Sequence, residues 1–150
     1  MLLPKMKEVS ILLVEDDDID AMAIERALRK LKIANPLVRA TNGIDAISIM
    51  RADPLLTRPY IILLDLNLPK MSGLEFLSEI RNDPNLTTAV VFVLTTSKAD
   101  EDIISAYRSH VAGYIVKSDI KDGFLELIEM FDRYWKIIEL PDDNTLGVRQ

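Results

Sequence analysis

Five short apolar runs alternate along the chain with longer segments in which apolar residues recur every three to four positions. Short apolar runs are typical of buried strands, and the longer spacing is typical of helices. Their strict alternation predicts a parallel sheet with right-handed crossovers and helices on both faces. The runs are Ser10–Glu15, Pro36–Ala40, Tyr60–Asp65, Ala89–Thr95 and Gly113–Lys117. We therefore predict an α/β fold, a (βα)5 flavodoxin-like doubly wound parallel sheet with strand order 2-1-3-4-5.

The composition narrows the classes of function. Hydrophobic residues make up 49% of the chain and charged residues 28%, as in ordinary globular proteins. The net charge of −6 argues against a nucleic-acid partner, which would favour a basic surface. The absence of cysteine excludes thiolate chemistry, and a single histidine makes a His-based triad difficult to build. With no bilayer-length apolar stretch and no secretory signal, we expect a cytoplasmic protein without a membrane partner.

Polar side chains follow the four most apolar strands. Glu15 and Asp16 come at the end of the first, Asp65 at the end of the third, Thr95 closes the fourth and Lys117 the fifth. The carboxyl ends of parallel strands meet at one edge of the sheet, where α/β proteins bind their ligands. We therefore expect carboxylates, a hydroxyl and an ammonium to converge there.

The carboxylates of Glu15, Asp16 and Asp65 provide oxygen ligands of the kind that Mg²⁺ prefers. Without a cation they would repel one another. Alternatively, Asp16 and its two successors cap the first helix and complement its dipole. For Asp17 and Asp18, capping is the preferred interpretation.

A carboxylate can also act as a nucleophile and form an aspartyl-phosphate. Phosphoryl transfer mainly requires positioning and charge stabilisation, which a metal ion, the Lys117 ammonium and the Thr95 hydroxyl can provide around Asp65. Taken singly, Lys117 could be a solvated surface charge and Thr95 an ordinary β-branched strand residue. Their joint placement favours the functional interpretation.

Four motifs at these positions resemble those of response-regulator receiver domains, the phospho-acceptor modules of two-component signalling. They read ILLVEDD, ILLDLNLPKMSGLE, VFVLTTS and GYIVKS. The resemblance extends over residues 9–138. It implies that a sensor histidine kinase donates the phosphoryl group, and that the chain has at most self-phosphorylation and self-dephosphorylation activity.

The resemblance also implies a role for individual residues. Asp65 matches the phosphorylated aspartate, and Glu15 and Asp16 match the acidic pair of the Mg²⁺ site. Asn67 matches the position whose backbone carbonyl coordinates the metal ion.

Three further positions carry the expected switch. Thr95 matches the switch hydroxyl and Lys117 the phosphate-pairing lysine. Tyr114 matches the aromatic residue that changes rotamer on phosphorylation. The alternative for Tyr114 is that it is a strand residue packed on the last helix.

Within the family, ILLDLNLP, LTTS and RYWKIIELP are similar to stand-alone receivers that work with phytochrome-type sensor kinases. We accordingly expect an N-terminal extension over residues 1–8 and a receiver over residues 9–138. Residues 139–150 would form a partly disordered polar tail with no output domain, so that the signal leaves by protein contact.

Three residues depart from the family pattern. Ser118 replaces the proline that usually follows the lysine in a cis peptide; a cis bond without proline costs about 3–4 kcal/mol, so a trans peptide could aim Lys117 differently. Ser72 replaces an acidic residue but can still cap the third helix. His110 stands where a small residue usually ends the fourth helix, and we expect it to adopt a left-handed backbone conformation as a surface cap.

The last helix, predicted from Ile120 to about Ile138, has more apolar residues than one buried stripe requires. We expect its exposed part to be rich in aromatic residues and to form a dimer or partner interface. Alternatively, Leu140–Leu146 folds back and covers this surface. The apolar residues are Phe124, Leu125, Leu127, Ile128, Met130, Phe131, Tyr134, Trp135, Ile137 and Ile138.

Two other functions remain open from the sequence. An aspartyl-phosphate phosphatase would require a general acid two residues after its nucleophile, and Asn67 cannot transfer a proton in this way. A pseudo-receiver would bind partners without phosphorylation. The retained acidic and basic residues argue against it, while Ser118 keeps it open.

Overall fold

The computed structural model describes residues 8–147, in which strands and helices alternate as the sequence predicts. The strands are β1 (Ser10–Val14), β2 (Leu37–Ala40), β3 (Tyr60–Leu64), β4 (Val90–Thr95) and β5 (Gly113–Val116). The α-helices are α1 (Asp18–Lys30), α2 (Gly43–Ala52), α3 (Gly73–Asn82), α4 (Asp100–Arg108), α5 (Leu125–Ile137) and α6 (Asp143–Leu146). Two 3-10 turns, Lys117–Asp119 and Asp122–Phe124, connect β5 to α5.

The strands form one parallel sheet in the order β2-β1-β3-β4-β5, which confirms the predicted fold and strand order. The central strand pair, β1 and β3, aligns Leu13 with Leu63. All of β1 is buried, whereas every residue of the edge strand β5 is partly exposed. A strand covered on both faces needs apolar residues without alternation, which is why β1 and β3 are continuous aliphatic runs.

Helices cover both faces of the sheet and create two cores. One face packs on α1 and α5 and contains most of the buried aromatic residues, among them Phe92, Phe131 and Trp135. The other face packs on α2, α3 and α4 and is mainly aliphatic, with the aromatic Phe76 among its fully buried residues. The Phe92 and Phe131 rings meet edge to face with centroids 4.8 Å apart, an arrangement that aromatic rings prefer.

Local capping fixes where several helices begin and end. Asp17 accepts hydrogen bonds from the backbone N–H groups of Ile19 and Asp20, so the prediction that Asp17 caps α1 is confirmed. Ser72 and Glu75 form a reciprocal capping box at α3, which confirms the prediction for Ser72. His110, beyond the end of α4, has a φ of 61°, the left-handed conformation predicted for it.

The last long helix begins at Leu125, so the predicted start at Ile120 is wrong. Asp122, Gly123 and Phe124 have φ values of 59°, 59° and 73°, which place them in the left-handed region. An α-helix of L-residues cannot continue through this region. The periodicity of apolar residues could not reveal this break, because Phe124 is still buried.

The aromatic residues of α5 face the core, so the prediction that its exposed surface is rich in aromatics is wrong. Phe131 and Trp135 are buried, and Tyr134 lies edge to face on Phe92 at a centroid distance of 5.2 Å. They belong to the core that α1, α5 and this face of the sheet share. The exposed large apolar residues of α5 and its end are Met130, Ile137 and Ile138.

Residues 139–147 fold back onto the amino-terminal edge of the sheet. Leu140 is buried in the core beside Trp135, and Asp142 caps α6. Arg58, which precedes β3, forms an ion pair with Asp143 at 3.4 Å. The expected partly disordered tail is therefore wrong over this range, because its apolar side chains find a surface to bury.

The alternative expectation was that Leu140–Leu146 folds back and covers the apolar surface of the last helix. The segment does fold back, but it does not cover that surface. The segment packs below the sheet edge and leaves the exposed apolar residues of α5 uncovered. Residues 148–150, and all of the predicted N-terminal extension except Glu8, lie outside the described residues.

Candidate phosphoryl-transfer and metal site

The polar residues that follow the strands meet at the carboxyl edge of the sheet, as predicted. Glu15 and Asp65 directly follow the central strands β1 and β3, Thr95 is the last residue of β4, and Lys117 follows β5. Glu15, Asp65 and Thr95 are buried, with exposed fractions of 1%, 7% and 0%. Buried charged groups require partners.

Three carboxylates form a compact acidic group. Glu15, Asp16 and Asp65 each offer an oxygen atom, and these oxygens lie within 4.8 Å of one another. Glu15 and Asp65 are buried while Asp16 is exposed, so the group opens to solvent on one side. Hard oxygen ligands at this spacing, with room for water, fit a divalent cation such as Mg²⁺ or Mn²⁺.

Electrostatics explain why this group favours a positive ion. Burial raises the pKa of Glu15 to about 7, and the nearby charge of Asp65 adds to the rise while a hydrogen bond from Lys117 opposes it. The cause is the low polarisability of the surroundings, which disfavours the ionised carboxylate. A bound cation would compensate for this unfavourable burial.

Lys117 reaches into the acidic group from the turn that follows the edge strand β5. Its Nζ lies 2.5 Å from Glu15 Oε1, 2.7 Å from Asp20 Oδ2 and 3.1 Å from Asp65 Oδ2. Burial by itself would lower the pKa of Lys117, but hydrogen bonds to Asp20 and Glu15 and the charge of Asp65 raise it above its ordinary value. The lysine is therefore a fixed positive charge beside Asp65.

Asn67 follows the acidic group in the β3–α3 loop. Its backbone N–H donates to Asp65 Oδ1 at 3.2 Å, which fixes the orientation of the Asp65 carboxylate. The side chain of Asn67 is exposed. The role of the Asn67 backbone carbonyl as a metal ligand stays a prediction.

Thr95 and Tyr114 are linked through one loop residue. The Ser97 N–H donates to Thr95 Oγ1 at 3.4 Å, and the Tyr114 hydroxyl donates to the Ser97 carbonyl at 3.0 Å. Tyr114 packs against the core on the α3 and α4 face of the sheet rather than on α5, so the alternative packing against the last helix is wrong. The loop after β4 therefore contacts both proposed switch residues.

The Lys117–Ser118 peptide is trans, since the one cis peptide within residues 8–147 joins Arg58 to Pro59. Lys117 nevertheless points at Asp65, and its side chain is only 9% exposed. The replacement of proline by Ser118 has thus not turned the lysine away from the site.

Two residues of the site were missed from sequence. Asp20 contacts Lys117, and Arg39 of β2 donates from Nε to the Glu15 backbone carbonyl at 3.0 Å while pairing with Asp18 at 2.8 Å. Asp20 stands in the acidic run at the start of α1, close in sequence to Glu15 and Asp16, and this proximity is the signal that could have revealed it. Arg39 carried no such signal, because only pairing of β2 with β1 brings it there.

The fold and this constellation define the class of protein. The profile of the response regulator receiver domain matches residues 11–129, and the chain belongs to this family. It is a receiver of two-component phosphorelay signalling, a signalling protein whose partner is a histidine kinase. Receiver domains bind a divalent metal ion, for which the acidic group described above is suited.

Individual relatives agree with this assignment. The chain is 37% identical over 136 residues to Response regulator Rcp1 from Synechocystis sp., covering 87% of this chain and 92% of the relative. The crystal structure of Mn²⁺-bound Rcp1 superposes with a TM-score of 0.77 at 34% identity, covering 90% and 99% of the two chains. The crystal structure of the phosphorylated cyanobacterial phytochrome response regulator RcpA superposes with a TM-score of 0.78 at 36% sequence identity, covering 89% of this chain and 98% of that chain.

Within residues 8–147, none of the helices combines the length and apolarity needed to cross a bilayer.

Proposed function

We propose that Asp65 is the residue that accepts the phosphoryl group from the kinase phosphohistidine. The observation that carries this assignment is the position of its buried carboxylate, 3.1 Å from the Lys117 ammonium and beside the carboxylates of Glu15 and Asp16. In the transfer, the bond from phosphorus to the histidine nitrogen breaks and a bond to an Asp65 oxygen forms. The histidine nitrogen is left to take up a proton.

Mg²⁺ is the proposed cofactor, held by Glu15, Asp16, Asp65 and the backbone carbonyl of Asn67. When bound, it supplies positive charge for the developing charge on the phosphoryl oxygens. Support comes from the oxygen-only ligand set and from the Mn²⁺-bound form of Rcp1. Glu15 and Asp65 are preorganised by burial, while Asp16 lies at the solvent-facing side.

Thr95 and Lys117 are the proposed phosphoryl-binding side chains. Tyr114 is the proposed aromatic switch residue, which changes rotamer when Thr95 moves. The buried Thr95 hydroxyl is a hydrogen-bond donor at the strand end next to Asp65, and Lys117 is a fixed charge. Because the Ser97 backbone contacts both Thr95 and Tyr114, a shift of this loop toward the phosphoryl group would move the tyrosine with it. The proximity of Lys117 to Asp65 favours this function over a pseudo-receiver.

The receiver, residues 9–138, works with a phytochrome-type sensor kinase in the cytoplasm and has no nucleic-acid or membrane partner. Its similarity to Rcp1 and to the phytochrome response regulator RcpA supports the kinase class. Phosphorylation favours a homodimer through α5, where Met130, Ile137 and Ile138 are exposed. Any catalytic activity is limited to self-phosphorylation and self-dephosphorylation.

Intact-mass spectrometry after treatment with acetyl phosphate and Mg²⁺ tests the assignment of Asp65. We expect a gain of one phosphoryl group, absent when Mg²⁺ is chelated and absent in Asp65→Asn. Asp83→Asn is the matched control, since Asp83 lies beyond α3 away from the site and should leave the gain unchanged. An unmodified wild-type protein, or a gain that survives in Asp65→Asn, would contradict the proposal.

Size-exclusion chromatography with and without beryllofluoride and Mg²⁺ tests the proposed dimer. Ile137→Glu should keep the protein monomeric under both conditions, because the charge would be buried at the interface. An unchanged elution volume of the wild type with beryllofluoride would show that the switch does not act through dimerisation.

A further inference from the structure

Asp20 is an acidic residue that contacts Lys117 from outside the acidic group. The Lys117 Nζ has three N–H donors, and three carboxylates accept from it: Glu15, Asp20 and Asp65. The contact to Asp20 is 2.7 Å, shorter than that to Asp65 at 3.1 Å. Asp20 therefore takes one of the three directions in which the ammonium can donate.

The three carboxylates differ in what else they can bind. Glu15 and Asp65 share with Asp16 the oxygen atoms that could hold a cation, whereas Asp20 is not part of that group. When those oxygens bind a divalent cation, they attract the Lys117 ammonium less strongly. Three acidic residues within residues 8–147 contact Lys117. Asp20 is then the one whose contact the cation leaves unaltered.

The backbone around Lys117 provides little other restraint. The residue opens the 3-10 turn Lys117–Asp119, which follows the edge strand and has no side-chain cap. Ser118 and Asp119 are exposed. Because a lysine side chain loses substantial rotamer freedom when it is fixed, the ammonium stays in place only through its own contacts.

Asp20 is itself held rigidly. It lies in the first turn of α1, where its N–H donates to Asp17 Oδ1 at 3.1 Å. The neighbouring residues Ala21 and Ile24 are buried in the core. The Asp20 carboxylate therefore faces Lys117 from a rigid position at the start of the helix.

We propose that Asp20 is a positioning residue that holds the Lys117 ammonium beside Asp65 while Glu15, Asp16 and Asp65 engage a divalent cation. The inference rests on the proposed role of Asp65 as phospho-acceptor. During transfer from acetyl phosphate, the bond from phosphorus to the acetate oxygen breaks, the bond to Asp65 forms and acetate leaves. Lys117 keeps its protons throughout and neutralises the phosphoryl oxygens, provided that it is in place.

The first test compares Asp20→Asn with Asp18→Asn. Both variants remove one charge from the first turn of α1, but Asp18 is 80% exposed and pairs with Arg39 instead of Lys117. With acetyl phosphate and saturating Mg²⁺, we expect phosphorylation of Asp20→Asn to be about tenfold slower than that of the wild type. Asp18→Asn should stay within about twofold, since an exposed ion pair contributes little.

A second test reads the position of Lys117 without any phosphoryl transfer. Reductive methylation with peptide mass spectrometry measures how accessible each lysine amine is. In Asp20→Asn, Lys117 should react several times faster than in the wild type or Asp18→Asn, most clearly with Mg²⁺ present. Lys136, which pairs with Asp132 on the distant α5, is the internal reference and should react equally in all three.

The outcomes separate this inference from the assignment of Asp65. If Asp20→Asn matches Asp18→Asn in the phosphorylation rate or in the labelling of Lys117, the positioning role is overturned. If the wild type takes up no phosphoryl group, the assignment of Asp65 fails, and the labelling of Lys117 decides alone whether Asp20 positions the lysine.

Discussion

The two edges of the sheet are built from the same five strands but have opposite chemistry. At the carboxyl edge, Glu15, Asp65 and Lys117 place buried charges within hydrogen-bonding distance. At the amino-terminal edge, Pro141 and Leu146 of the returning tail line a small cavity together with Tyr60 and other residues at the starts of β3 and β4. One edge concentrates charge, and the other is closed by apolar packing.

The difference shows how a single sheet separates function from stability. Charges buried at the carboxyl edge are tolerated because each faces a partner, and their mutual repulsion leaves a site that gains from binding a cation. The tail edge gains from removing apolar surface from water. Mutations should therefore affect phosphorylation at one edge and unfolding at the other, unless they move the backbone that carries the site.

The largest effect is expected where backbone packing and the site coincide. A Cβ added at Gly73 would lie 2.6 Å from both the Asp65 carbonyl oxygen and the Leu66 Cα, so Gly73→Ala must displace the loop after β3. We expect a loss of about 3 kcal/mol in the free energy of unfolding, measured by urea denaturation, together with slower phosphorylation.

Gly43→Ala is the matched control, because Gly43 also begins a helix after a capping residue. Its added Cβ would meet the flexible Met71 side chain at 2.9 Å, which can move. The free energy of unfolding should change by less than about 1 kcal/mol. Equal losses in the two variants would contradict the close backbone approach at Gly73.

The next effect tests the amino-terminal edge. Leu140→Ala removes a side chain that is buried next to Trp135, and should lower the free energy of unfolding by about 2–3 kcal/mol through the cavity it leaves. Phosphorylation by acetyl phosphate should be unchanged in conditions where the variant is folded. Leu55→Ala, at a side chain that is 71% exposed, should change stability by at most about 0.5 kcal/mol. If Leu140→Ala also lost no more than about 0.5 kcal/mol, the tail would not stabilise this edge.

A smaller effect tests the repulsion at the carboxyl edge. At a Mg²⁺ concentration of about ten times its Kd, binding should raise the free energy of unfolding by about 1.4 kcal/mol. Asp16→Asn should lose most of this increase, because Asp16 belongs to the acidic group, whereas Asp18→Asn should retain it. Thermal melts with and without Mg²⁺ measure this stabilisation in each variant. Equal stabilisation of the two variants would show that Asp16 does not hold the cation.

The smallest effect concerns the ion pair between Arg58 and Asp143 at the amino-terminal edge. These side chains are 23% and 40% exposed, so Asp143→Asn should lower the free energy of unfolding by only about 0.5 kcal/mol. High salt should remove the difference from the wild type, since it screens exposed charges. A loss above about 2 kcal/mol would mean that charge, rather than apolar burial, fastens the tail.

Local patterns were sufficient for most of the fold and of the candidate site. Continuous aliphatic runs such as Tyr60–Asp65 are typical of strands buried on both faces, and their alternation with helical segments indicated a parallel sheet. The same runs placed Asp65, Thr95 and Lys117 at one edge. Patterns failed where left-handed residues ended the last helix early, since backbone conformation at Asp122 and Phe124 does not alter hydrophobic spacing.

The sequence by itself determined which side chains stand at the strand ends, because strand direction in a parallel sheet brings them to one edge. Only the tertiary structure decided how those charges are paired. Asp20 and Arg39 enter the site because α1 and β2 pack beside β1, and Leu140 is buried because the starts of β3 and β4 leave an apolar surface. Such contacts join residues far apart in the chain, and their geometry depends on packing that no local pattern encodes.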